Sequence, residues 1–230
     1  MDWRAFAEQM AELARHLLAQ GSTQETLDAI AERGVGLLDG CDAAGVLAVR
    51  KGRAVTLSAY GDMVEDSDRL QGELGEGPCF DAARRVNGER MFRITDLNAP
   101  QPEWPRFAPA ARDLGVGSMM GFLLYTRNDD FGALNFYSRR PGTFTPEMET
   151  AGWLLASHAA VALASARTVD QLEHALDTRH AIGEAMGILR ERHRLGEEEA
   201  FDVLKRISQT HNVKLRDVAQ TIRAKAVPER

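Results

Sequence analysis

The chain has 230 residues, 44% apolar and 27% charged, with a formal net charge of −6, the make-up of one or two ordinary globular domains. No apolar run approaches the ~20 residues that cross a bilayer, and residues 1–10 lack the basic stretch and apolar run of a secretory signal. Two cysteines, Cys41 and Cys79, are too few for a disulfide framework, so a reduced cytoplasmic protein is expected.

Residues 2–19 read as an amphipathic helix, with Trp3, Phe6, Met10, Leu13 and Leu17 stepping by three and four. Gly21 ends it. Ser22 and Glu25 form a capping box for a second helix carrying Leu27, Ile30, Ala31, Val35 and Leu38. Two β-rich stretches, 45–49 and 54–59, flank Arg50-Lys51-Gly52-Arg53, which reads as a hairpin turn. A polar segment with Asp62, Glu65, Asp66 and Asp68 leads to Gly75, Gly77 and Pro78, a turn before a short helix over 81–86.

Residues 90–94 are a strand, and 98–105 a proline-rich loop. Residues 107–114 are helical, and strands at 118–125 and 131–137 flank a turn at Asn128-Asp129-Asp130. Alternating elements of this kind favour an antiparallel sheet of five or six strands with helices packed on it, an α+β domain.

Thr145-Pro146-Glu147 starts a helix: an N-cap, a proline in the first turn and an acid near the positive end of the dipole. One helix then runs to about residue 192. Leu155, His158, Ala162, Ser165, Val169, Leu172, Leu176 and Arg179 step 3-4-3-4, a heptad seam that predicts a parallel homodimer, with helix 2–19 joining the bundle. The opposing expectation is that the stripe packs on its own α+β domain. Gly183 and Gly187, four apart, leave room for another helix.

From Arg179 the chain is an all-α three-helix pattern with eleven Lys and Arg against eight Asp and Glu. This tail is +3, so the first 178 residues carry −9, an asymmetry that suits a polyanion at one end. Gly196 breaks the long helix. Ala200, Phe201, Leu204 and Ile207 are read as the core face of the second helix, and Asn212 ends it or caps the third. The third carries Leu215, Val218, Ala219 and Ile222.

The runs AIGEAMGIL, AFDVLKRIS and NVKLRDVA resemble the ANTAR domain, an RNA-binding module of bacterial antitermination regulators. Ala181, Gly187, Ala200, Ser208, Asn212, Lys214, Leu215 and Ala219 fall on that family's pattern; Arg190 stands where related sequences often carry Met. Residues 1–160, with LGEGPCFDA at 74–82, resemble a GAF domain, a sensory and dimerising fold that takes small ligands. The resemblance implies a GAF-like sensor over 1–145, a coiled-coil linking helix over 146–178 and an ANTAR module over 179–230. It names no cofactor.

RNA binding needs cations for phosphates and polar groups for splayed bases. Arg179, Arg192, Lys205, Arg206, Lys214 and Arg216 are the phosphate candidates, and Ser208 and Asn212 the base-reading ones. The bland reading is a solvated face for each cation and helix capping for Ser208 and Asn212. In the GAF-like part, Cys79, Phe92, Trp104, Met119, Phe122 and Phe136 are candidate ligand-pocket residues, the alternative being plain core. Cys79, after a Gly-Pro turn at a helix start, reads either as a redox sensor or as a small buried hydrophobe. His158 could ligate haem, although a lone helical His is more often structural or solvated.

There is no H-E-x-x-H, no G-x-x-x-x-G-K-[ST], no G-x-S-x-G and no paired C-x-x-C, so neither an enzyme nor a metal is expected. A homodimeric regulator binding stem-loop RNA, with a small ligand in the sensor and no membrane contact, is the leading expectation. A duplex-DNA regulator and a dimerising ligand or redox sensor remain the other classes.

Overall fold

Lys51 and Gly52 both take positive φ, 52° and 77°, the two-residue turn whose twist matches a right-handed hairpin. It joins β1 (Ala43–Arg50) to β2 (Arg53–Tyr60), in antiparallel register from Arg50↔Arg53 to Ala44↔Tyr60. The computed structural model describes residues 3–84, 90–127 and 130–225. With β3 (Met91–Ile94), β4 (Ser118–Tyr125) and β5 (Asp130–Ser138), the described strands form a five-stranded sheet in the order β2-β1-β5-β4-β3, every pairing antiparallel. Residues Asn128 and Asp129 of the expected turn lie outside the described residues, as does the end of the helix expected at 81–86.

Two helical layers cover the sheet. On one face lie α1 (Trp3–Leu18), α2 (Thr23–Leu37) and the first part of α6 (Pro146–His193). Phe6, Met10, Leu13 and Leu17 of α1 bury their stripe, as the spacing predicts; the side chain of Trp3 lies outside the described residues. Ser22 caps α2 through a Glu25 N–H···Oγ bond of 3.2 Å, while the Glu25 carboxylate accepts from Gly21 N–H at 2.8 Å. Gly152 of α6 sits against the Phe122 ring, which stacks edge-on with Phe136 and Trp153 at centroid distances of 6.2 and 5.3 Å.

On the other face lie α3 (Val64–Leu74), α4 (Pro78–Arg84) and α5 (Phe107–Asp113). Most of the polar segment, for which no element is expected, is α3. Its buried positions are Val64, Ser67, Asp68 and Gln71, so the face it turns inward is mostly polar and shows no apolar stripe. Val64 reaches so close to β1 that a Cβ on Gly45 would stand 2.3 Å from its Cγ1.

The chain divides into two compact units, Met1–Thr168 and Val169–Arg230, and α6 contributes to both. The expected heptad seam splits accordingly: Leu155 and Ala162 are buried in the sheet's core, whereas Val169, Leu172 and Leu176 are 46%, 60% and 66% exposed. In the second unit, α6 packs with α7 (Glu197–His211) and α8 (Leu215–Ala224). The buried side chains there are Ala181, Ala185, Leu189, Ala200, Leu204, Val218 and Ala219. Arg194, at φ 55°, turns the chain after α6, and Gly196 caps α7 instead of breaking the helix before it. Asn212, at φ 51°, terminates α7. A Cβ on Gly183 or Gly187 would meet nothing within 4 Å, so that notch is open.

Candidate functional sites

The six residues expected to line a ligand pocket divide between the two faces of the sheet. Alternation along β4 sends Met119 one way and Phe122 the other. Cys79, Phe92 and Met119 are buried under α3, α4 and α5, with Trp104 packed against them. Phe122 and Phe136 belong to the opposite core, under α6. The six therefore cannot line a single cavity. Phe92 and Trp104 do meet, around a cavity of about 270 Å³ that Asp81 and Glu103 also border. Trp104 Nε1 donates to Asp81 Oδ2 at 2.9 Å.

Beneath α3 lies a polar cluster that sequence spacing did not reveal. Asp68 is 1% exposed. It accepts from Thr56 Oγ1 at 2.9 Å and from the Tyr137 hydroxyl at 3.2 Å. Burial pushes its carboxyl up to about 7, against the pull of the Thr56 and Tyr137 donors, and the nearby Glu65 charge adds to the rise. Burial, then the Asp68 charge, hold the Tyr137 phenol well above its ordinary range. Gln71 Oε1 accepts from the backbone N–H groups of Cys79 and Phe80 at 2.9 and 3.1 Å, capping the start of α4.

Cys79 is wholly buried, 3.9 Å from the Tyr137 hydroxyl. Desolvation, followed by the Asp68 charge, drives its thiol far up, the opposite of what a reactive cysteine requires. The redox reading of Cys79 is thus replaced by the small buried hydrophobe. Cys41 is similar: burial raises its thiol to about 12. His158 is exposed on α6. Among the described residues no group of three or more His, Cys, Asp or Glu could hold a metal ion, and no helix is long and apolar enough to cross a membrane.

In the second unit Arg179, Arg192, Lys205, Arg206, Asn212 and Lys214 are all exposed. Among the described residues none of those five cations takes part in an ion pair, while Arg216 is paired with Asp217 at 3.3 Å. Ser208 Oγ donates to the Val213 carbonyl at 2.6 Å, and Val213 N–H returns a 3.0 Å bond to the Ser208 carbonyl. Ser208 and Asn212 thus build the C-terminal turn of α7, which is the capping role. Phe201, assigned to the core from spacing, is instead 40% exposed.

A family model described as a GAF domain matches residues 20–164. The chain belongs to the GAF domain family. An ANTAR domain model matches residues 170–222, so the architecture is a GAF domain followed by an ANTAR domain. Similar solved structures include the GAF domain of a Coxiella burnetii phosphoenolpyruvate-protein phosphotransferase, at 18% identity and a TM-score of 0.57, covering 74% of this chain and 99% of that one. The corresponding Acinetobacter domain has 14% identity and a TM-score of 0.55, covering 73% and 98%. A bacteriophytochrome from R. palustris has 12% identity and a TM-score of 0.59, covering 81% of this chain and 42% of that chain. At these identities the likeness concerns the fold alone. No curated protein matches the chain.

Proposed function

We propose that this GAF–ANTAR protein is a non-catalytic, cytoplasmic regulator whose ANTAR module binds stem-loop leader RNA and prevents a terminator from forming. The carrying observation is the ANTAR match over 170–222 on a unit in which Arg179, Arg192, Lys205, Arg206 and Lys214 are exposed and lack acidic partners among the described residues, while Arg216 and Arg223 are paired with Asp217 and Glu184. Unneutralised Lys and Arg are what a phosphate backbone requires. The GAF domain is the sensor, and a small ligand beside Phe92 and Trp104 is its input.

The regulator works as a homodimer. Val169, Leu172 and Leu176 of α6 stay exposed, and so do Leu154 and Val161 earlier on the helix. Steps of three and four place Val169, Leu172 and Leu176 on one side of a 3.6-residue helix. An apolar stripe of this kind is covered by a second helix.

Fluorescence anisotropy of the full chain against a tandem stem-loop RNA and a DNA duplex of equal length, at ~150 mM salt to suppress non-specific attraction, tests the reading. RNA binding that Lys205→Ala and Lys214→Ala weaken, with little DNA binding, is expected. Equal or stronger binding to the duplex makes the protein a DNA regulator. No binding to either nucleic acid leaves a dimerising sensor.

A further inference from the structure

Two other cavities of the first unit carry arginines on their walls, Arg33 between α1 and α2, and Arg53 and Arg69 between α3 and β2. The cavity of about 270 Å³ beside Trp104 has no Lys or Arg in its lining. Two carboxylates, Asp81 and Glu103, stand there with the Trp104 and Phe92 rings. Among the described residues neither carboxylate takes part in an ion pair. Arg106, two residues beyond Trp104, is engaged elsewhere, by Glu76 Oε2 at 2.9 Å and the Leu74 carbonyl at 2.7 Å. The bond from Trp104 Nε1 to Asp81 Oδ2 at 2.9 Å fixes the indole beside the charge and leaves Asp81 Oδ1 free to accept.

A second observation lies behind Phe92. The backbone register sets Phe92, Gly121 and Asn135 in one cross-strand row on β3, β4 and β5. Asn135 is 0% exposed, and among the described residues neither atom of its amide has a hydrogen-bond partner. Gly121 lacks a Cβ, and the tip of the Phe92 ring fills the place where one would stand. The amide therefore lies near an aromatic ring that gives it no hydrogen bond. A buried polar group in that position is costly, and a ligand whose N–H groups displace the ring satisfies it.

These features select by charge and shape. Paired carboxylates accept hydrogen bonds and repel phosphates and other anions. The face of an indole attracts a cation. A flat amidinium or guanidinium meets a carboxylate through two parallel N–H bonds and stacks on an aromatic ring, which a strongly hydrated ammonium does less well.

We infer that this cavity takes a small, flat organic cation of the amidine or guanidine class, its charge on Asp81 and Glu103 and its plane on Trp104. This rests on the reading of the GAF domain as a small-ligand sensor and adds the chemical class of the input.

The test titrates the full chain with benzamidine, benzamide and benzoate, which share one shape and are positive, neutral and negative. The readout is the Trp104 indole N–H resonance, assigned by its loss in Trp104→Phe. Benzamidine is expected to shift it with a millimolar Kd, about tenfold or more tighter than benzamide, and benzoate not to shift it. Asp81→Asn, which still accepts the indole bond, removes the preference for benzamidine over benzamide. Glu103→Gln, at an exposed position, reduces it without risk to the fold. A preference undiminished in both variants overturns the inference. Benzamide or benzoate binding as well as benzamidine overturns the cationic class and leaves the sensor reading standing. No shift with any of the three at up to about 10 mM, where even millimolar binding would show, overturns both the class and this cavity as the sensor's input.

Discussion

The Tyr137 hydroxyl donates to Asp68 Oδ1 at 3.2 Å, and both side chains are sealed between α3 and the sheet. A strand residue and a helix residue 69 positions apart thereby share one proton-bearing site in the sensor.

That site gives stability a defined pH dependence. The Asp68 carboxyl rises from 3.8 to about 7 on folding, so the native state holds a proton that the unfolded chain releases. Its contribution is complete below the unfolded value and is lost as pH rises through about 7. Asp68→Asn, which never charges, should come closest to wild type at about pH 3, below the unfolded value. At pH 8 it should melt several degrees higher, at ~2–4 °C per kcal/mol for a chain of this size. Equal melting shifts at the two pH values would contradict a raised carboxyl.

Gly152→Ala should destabilise the protein. Alanine gains about 1 kcal/mol over glycine in a helix interior. Here, however, the new Cβ would stand 2.3 Å from the Phe122 ring, which Phe136 and Trp153 confine. Overpacking of this kind costs about 1–3 kcal/mol, so a net loss of up to about 2 kcal/mol is expected, read as a lower urea midpoint at unchanged slope.

Cys79 should be inert in the folded protein. A thiol reagent should modify it only at the rate of unfolding, in minutes after urea is added. Cys79→Ser should leave the reactivity of the native protein toward peroxide unchanged. Rapid labelling of Cys79 without denaturant would show that the site opens.

Leu172→Glu together with Leu176→Glu should convert a dimer to a monomer in sedimentation equilibrium while leaving helical content intact, because both side chains are more than half exposed. A dimer that survives the pair would place the contact elsewhere.

The hairpin, the strands along the chain and the long helix are legible because their signals are local: Lys51-Gly52 demands one turn type, and Thr145-Pro146 demands a helix start. Helix α3 is hidden in the sequence because three of its four inward positions are Ser67, Asp68 and Gln71, leaving Val64 as the one apolar residue of the four. The expected α6 seam departs from the structure only in its first part, where Leu155 and Ala162 are buried and their neighbours Leu154 and Val161 exposed, a choice between adjacent apolar residues that only packing makes; Val169, Leu172 and Leu176 are exposed. Of the candidate pocket residues five are buried and Trp104 half-buried, but Met119 and Phe122 are three apart on a strand and so face opposite layers. Phe201 was misread for the same reason as α6: a stripe of Ala200, Phe201 and Leu204 does not say where its edge falls.

The alanine-rich interior of the second unit has a thermodynamic consequence. Alanine contributes little apolar area, and a segment of about 60 residues is already near the lower limit for independent stability. The ANTAR unit is accordingly the part of the chain that opens first on warming, and its amide protons exchange before those of the sheet. A ligand that binds only the folded unit would add its binding free energy to that small margin.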